Sequence, residues 1–202
     1  MSDYADPSVL VSTDWVHENL DSGIKIVEID VDTQQYNAGH IPGAVAFDWT
    51  TQLQDQTRRD IIGKEEFEAL LSKAGISNDD RVVIYGDNNN WFAAYGFWIF
   101  KYYGHDNVQL MNGGRSKWLD EEDKPLTTDV PSPTPATYTV KSENKEIRAF
   151  VQDALRASQE KSANLVDVRS PDEFSGKVIA PPGMTETAQR GGHIPGAKSV
   201  PW

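Results

Sequence analysis

Hydrophobic positions along this chain recur with two alternating periods. Phe67, Leu70, Leu71 and Ala74 fall at i, i+3, i+4 and i+7, the spacing of an amphipathic helix, and Gly75 follows as its stop. Arg81-Val82-Val83-Ile84-Tyr85 is a short apolar run that predicts a buried strand, and residues 25–31, 44–47 and 108–111 read the same way. Ser12 or Thr13 can cap a short helix that turns Trp15, Val16 and Leu20 inward. The turn-rich Gly86-Asp87-Asn88-Asn89-Asn90 precedes residues 91–103, which are apolar all round, as a helix covered on several sides would be. Asn112-Gly113-Gly114 then turns the chain into a helix over 115–120. Strands alternating with helices predict an α/β fold with a parallel sheet flanked by helices.

The pattern stops at Pro125 and restarts beyond it. Pro131, Pro133 and Pro135 alternate, which favours extended polyproline geometry and excludes a helix, so a semi-rigid linker is expected. Ile147, Phe150, Val151, Ala154 and Leu155 then predict a second amphipathic helix, and residues 165–168 a second opening strand. The restart is a repeat. Gly39-His40-Ile41-Pro42-Gly43-Ala44 returns as Gly192-His193-Ile194-Pro195-Gly196-Ala197 at an offset of 153, at which Trp49 also matches Trp202. Ile26-Val27-Glu28-Ile29 returns as Leu165-Val166-Asp167-Val168 at an offset of 139, and Tyr36 matches Phe174. Extra residues, among them Pro181-Pro182-Gly183, therefore separate strand from Gly-His motif in the second copy. The organisation predicted is a first domain over 1–125, a Pro-rich linker over 126–137 and the opening part of a second domain over 138–202. A complete second copy would end at roughly residue 277, so the sequence reads as a fragment.

Composition narrows the chemistry. A net charge of −12 argues against nucleic acid or an anionic membrane as partner. An anionic substrate would need arginines near the site to overcome the overall field. No apolar run is long enough to span a bilayer, and Met1 to Asp6 has no signal-peptide pattern, so a cytoplasmic protein is expected. The 202 residues contain no cysteine, which removes disulfides, thiolate metal sites and any thiol nucleophile.

Among candidate site residues, His40 and His193 invite a general-base role, yet no serine, cysteine or second histidine accompanies either in sequence. A structural role is expected for both, with Gly39, Gly43, Gly192 and Gly196 shaping the turns. The loop after the 81–85 strand points backbone N–H groups and a helix start at one spot, which suits an anion or a cysteine thiolate. Here it holds Asp87 and Asn88, so Asp87 is expected to act as a helix cap. Asp167 and Arg169 lie two apart on a strand and share a face, where they could brace a loop or hold an anion. Arg190, beside Gly191-Gly192, is a further candidate, with a solvated loop charge as the plainer alternative. Gly113-Gly114-Arg115 reads as backbone packing, and Trp91 and Phe92 as core.

The duplicated Gly-His-Ile-Pro-Gly-Ala words, Asp167-Val168-Arg169-Ser170-Pro171-Asp172-Glu173-Phe174-Ser175-Gly176, Asn89-Asn90-Trp91-Phe92-Ala93-Ala94-Tyr95 and Gly113-Gly114-Arg115 together resemble the double-domain rhodanese family, the thiosulfate sulfurtransferases, and most of all its actinobacterial branch. The resemblance implies two tandem rhodanese-like domains with a site at their interface, the second incomplete in these residues. It implies that the N-terminal domain is non-catalytic, with Asp87 and Asn88 in a vestigial loop. The active cysteine would stand in the second domain near position 240 or so by the same offset. Small-molecule partners would be a sulfur donor, thiosulfate, and a thiophilic acceptor such as cyanide, with no metal or organic cofactor. The missing half-domain would come from a cleaved C-terminal fragment or a neighbouring chain. Some relatives carry an arginine where Glu173 stands, so that donor contact is not carried over; Arg169 would brace the active-site loop. The alternative is a non-catalytic scaffold or binding protein on the same fold. A phosphatase of the related cell-cycle type would also need a cysteine.

Overall fold

The helical spacing around Phe67 becomes α3, Lys64–Lys73, with Phe67 and Leu71 fully buried and Gly75 taking a φ of +69° just past its end. The computed structural model of the protein describes residues 4–58, 60–180 and 188–202. The chain divides into two compact units, Met1–Lys145 and Glu146–Trp202.

In the first unit the order is β1 (Leu10–Val11), α1 (Thr13–Glu18), β2 (Lys25–Glu28), α2 (Gln35–Ala38), β3 (Val45–Ala46), α3, β4 (Val82–Tyr85), α4 (Asp87–Tyr102), β5 (Val108–Met111) and α5 (Gly114–Asp120). Ser12 caps α1, its hydroxyl accepting from the Trp15 N–H at 3.0 Å. The five strands form one parallel sheet in the order β1-β5-β4-β2-β3, with Val27 paired to Ile84 and Ile84 to Leu110. Every residue of β4 is buried, because its alternate side chains meet helices on both faces. Val82 and Ile84 join Phe67, Leu71 and Phe100, whereas Val83 and Tyr85 join Val16, Met111 and Trp118.

Residues 126–145 belong to this first unit. Thr127 bridges to His40, Ala136 donates to the Ser72 carbonyl at 2.8 Å, and Tyr138 and Val140 are buried in the core beside Phe67. Burying a side chain of this kind is worth roughly 1.5–3 kcal/mol, enough to pin an extended segment. The proline-rich stretch, expected as a semi-rigid linker, lies as a strap on the first unit, which runs to Lys145. Proline spacing reported the extended backbone correctly but could not show what lay beneath it.

The second unit contains α6 (Val151–Glu160), β6 (Val166–Asp167), α7 (Pro171–Ser175) and β7 (Lys198–Ser199). The helix expected from Ile147 begins only at Val151, after Phe150, whose N–H donates to the Asp153 carboxylate at 3.0 Å. Strands β6 and β7 pair in parallel, Val166 with Lys198 and Asp167 with Ser199. Its apolar side chains stay open: Phe150, Val151, Leu155, Val166, Val168 and Trp202 are each about half exposed or more. Part of the expected insertion, residues 181–187, lies outside the described residues.

Candidate functional site

Winding outward from β2 reaches β3 on one side and β4 then β5 on the other, so the direction of the sheet reverses between β2 and β4. Ligand crevices of open parallel sheets form at that point, beyond the carboxyl ends of the strands. The loops that meet there follow Glu28 and Tyr85. Gly86 lets them close up, since a Cβ on it would stand 2.0 Å from the Ile29 carbonyl oxygen.

Glu28 ends β2 and is buried. Its two carboxylate oxygens accept from Nη1 of Arg115 and from the Tyr85 hydroxyl. That hydroxyl also accepts from the Ile41 N–H at 3.0 Å, and burial next to Glu28 holds the Tyr85 phenol well above its ordinary pKa. Nη2 of Arg115 donates to the carbonyls of Gln35 at 3.0 Å and Gly39 at 2.6 Å. One guanidinium therefore ties β2, α2 and the Gly-His-Ile-Pro-Gly turn together. Asp30 lies beside Glu28, 3% exposed, and its pKa is pushed up to about 8 by burial first and by Glu28 second.

Asp87 opens the loop that follows β4. Its N–H donates to Asp30 Oδ1 at 2.8 Å, while its carboxylate accepts from the N–H groups of Val31 at 2.6 Å and Asp32 at 3.1 Å. The expectation that Asp87 caps the following helix is corrected: its side chain caps the loop after β2, because that loop presents two N–H groups at the end of a strand. Asn88, Asn89 and Asn90 all take left-handed φ, from 44° to 64°, a conformation asparagine tolerates better than most residues, and regular helix starts at Trp91. Asn90 spans the turn, accepting from the Gly86 N–H at 3.0 Å and donating to the Met111 carbonyl at 2.8 Å. With no cysteine in the chain, this loop has no thiol to carry sulfur. Trp91 is half exposed, whereas Phe92 stacks on Trp49 at 3.9 Å.

His40 is buried. Its ring stacks on Tyr36 at 3.7 Å, with Nδ1 2.9 Å from the Tyr36 carbonyl and Nε2 3.2 Å from that of Asp129. Both ring nitrogens face backbone carbonyls, so neither is turned toward a substrate. In the second unit His193 stacks on Phe174 at 3.7 Å, with Nδ1 2.7 Å from the Phe174 carbonyl. The contact survives although far more chain separates the two rings in the second copy. There Arg169 grips Asp167, Nη2 to Oδ2 at 2.6 Å and Nε to Oδ1 at 3.0 Å, and donates to the Gly192 carbonyl at 2.8 Å. Its hydrogen bonds hold the Asp167 carboxyl below the usual carboxylate range. Glu173 is occupied in a capping box, accepting from the Ser170 N–H and hydroxyl at 3.1 and 2.7 Å. Arg190 lies on an exposed loop. The structure thus joins Asp167, Arg169, Gly192 and, through the turn, His193.

Sequence reasoning passed over the Glu28–Tyr85–Arg115–Asp30 cluster. The available signal was Glu28 within an apolar strand, because a carboxylate buried there must find a partner.

A doubly covered parallel sheet with the Gly-His-Ile-Pro-Gly turn and a tight loop at its switch point defines a rhodanese-type domain. The family model described as "Rhodanese-like domain" matches residues 12–121, and the chain belongs to that family. It is 55% identical over 207 residues to a Haloferax volcanii protein named "Putative thiosulfate sulfurtransferase", covering 100% of this chain and 71% of that one. A Saccharopolyspora erythraea protein of the same name is 52% identical over 96% of this chain and 69% of its own length. The crystal structure of SseA from Escherichia coli, described with the rhodanese fold of 3-mercaptopyruvate sulfotransferases, superposes with a TM-score of 0.81 at 28% identity, over 96% of this chain and 75% of that one. Among the described residues no helix is long and apolar enough to cross a membrane.

Proposed function

We propose that this chain is part of a thiosulfate sulfurtransferase whose sulfur-carrying cysteine lies outside residues 1–202. The observation that carries the reading is the unfinished pairing of β6. Its counterpart β2 is flanked by β3 and β4, whereas among the described residues β6 pairs with β7 alone. The absent neighbour is the counterpart of β4, and the loop after β4 is where the first unit holds Asp87. A segment completing that edge would bring a strand, a cradle loop and a helix, with a cysteine in place of Asp87. It would come from a C-terminal fragment of the same protein or from a neighbouring chain, and it would cover Val166, Val168 and Trp202.

In the reaction the thiolate attacks the outer sulfur of thiosulfate. The sulfur–sulfur bond breaks, sulfite leaves with the electron pair, and a persulfide remains. Cyanide or another thiophile then takes the terminal sulfur and restores the thiolate. Arg169, fixed by Asp167, positions the Gly192 turn under that loop. No step calls for a metal or organic cofactor, and the site is cytoplasmic.

The test is thiocyanate formation from thiosulfate and cyanide. The purified 202-residue chain is expected to form none, and the same chain continued through the segment its relatives carry is expected to form it. Turnover by residues 1–202 alone, or none by the continued protein, overturns the proposal. Asp87 in the loop after β4 favours one other reading, a non-catalytic scaffold; an intact mass of 22.5 kDa for the natural product would support it.

A further inference from the structure

The crevice between β2 and β4 gathers more acid than its cation neutralises. Glu28, Asp30 and Asp48 line a cavity of about 120 Å³ beside it, the Asp87 N–H donates to Asp30, and Arg115 supplies the neighbouring positive charge. Tyr36 from α2 lines the same cavity, and the Tyr85 hydroxyl from β4 donates to Glu28. Both Glu28 oxygens already receive donors, from Arg115 and Tyr85, and Asp30, two residues on and buried like Glu28, lines the same cavity. Two carboxyl groups in contact need a proton between them.

We propose that Asp30 keeps a proton on its bond to Glu28, and that this proton latches the loop after β2 onto the 86–90 turn. The latch has three further bonds, all through Asp87: its N–H to Asp30, and its carboxylate to the N–H groups of Val31 and Asp32. A neutral Asp30 takes one negative charge away from beside the Asp87 side chain. An ionised Asp30 sets three carboxylates side by side in a buried crevice, with Arg115 as the nearby cation. The latch is independent of sulfur transfer and of any residue outside this chain.

Its direction is set by the raised pKa of Asp30, about 8. The unfolded chain releases this proton near the ordinary aspartate value of 3.8 and the folded one near 8, so stability falls as pH rises between those values. Above the upper value the folded state itself loses the proton and the loop loosens.

The test tracks side-chain carboxyl carbons by NMR in the 202-residue chain from about pH 5 to about pH 10, together with amide exchange. One aspartate is expected to titrate near pH 8 and to be missing in Asp30→Asn. Asparagine can give Glu28 an N–H where Asp30 gave its proton. Protection of the Val31, Asp32 and Asp87 amides, corrected for intrinsic exchange, is expected to fall by about tenfold or more through that midpoint in the natural chain and to stay level in the variant. Carboxyls that all titrate below pH 6 or so, or protection that stays level in the natural chain, overturn the latch. The natural chain alone decides the matter should the variant not fold.

Discussion

Arg115 and Arg169 make the same pair of contacts in the two repeats while standing at unrelated places in them. Each guanidinium joins the acid that ends β2 or β6, Glu28 or Asp167, to the carbonyl of the glycine opening the Gly-His-Ile-Pro-Gly turn, Gly39 or Gly192. Arg115 arrives from a helix 87 residues after Glu28, and Arg169 from two residues after Asp167. What is kept between the repeats is a cation between strand end and turn.

Their environments separate the two in energy. The Arg115 and Glu28 side chains are 8% and 0% exposed, whereas those of Arg169 and Asp167 are 34% and 12% exposed. Arg115→Met leaves a buried carboxylate unpaired and is expected to cost about 3–5 kcal/mol. Arg169→Ala, partly solvated, is expected to cost about 1 kcal/mol or less in the same chain. Urea denaturation monitored by circular dichroism measures both; equal losses would refute the assignment.

His105 sets an acid limit. Its ring is buried between the Asp80 carbonyl, 3.1 Å from Nε2, and the Tyr138 hydroxyl, 3.3 Å from Nδ1, and burial holds its pKa below 6.5. Below pH 6.5 the unfolded chain binds a proton that the folded chain refuses, so stability falls as pH drops through that value. Thermal melts on either side of that pH should show this loss in the natural chain and a smaller one in His105→Gln.

Gly86→Ala tests the closeness of the two crevice loops. The φ of −171° suits alanine, so the cost comes from the new Cβ against the Ile29 carbonyl. A loss of about 1–3 kcal/mol or more is expected, read from denaturant midpoints. An unchanged midpoint would mean that the loops stand further apart.

Salt should stabilise the chain. At a net charge of −12 its surface repels itself, and screening shortens the reach of that repulsion from about 30 Å at 0.01 M salt to about 8 Å at 0.15 M. The melting temperature is expected to rise with potassium chloride. A fall would show that exposed pairs such as Arg156 with Asp153 outweigh the repulsion.

Sequence by itself determined the period of each element, the duplication and the missing thiol. Those are properties of neighbouring residues, or of a count, and they need no fold: the spacing of Phe67 to Ala74 is helical wherever the helix lies, and a chain without cysteine has no thiolate. Asp167 and Arg169 were legible for the same reason, being two apart in sequence, although β6 ends at Asp167 and Arg169 lies just past it. Tertiary structure decided what distant segments bring to one another. Tyr138 anchors a strap because Phe67, from another helix, lies beneath it. Asp87 serves the loop after β2, and Arg115 reaches Glu28, because the parallel sheet sets the ends of its strands side by side. The contact of Asp30 with Glu28 matters only once both leave water, and burial belongs to the assembled sheet and its covering helices.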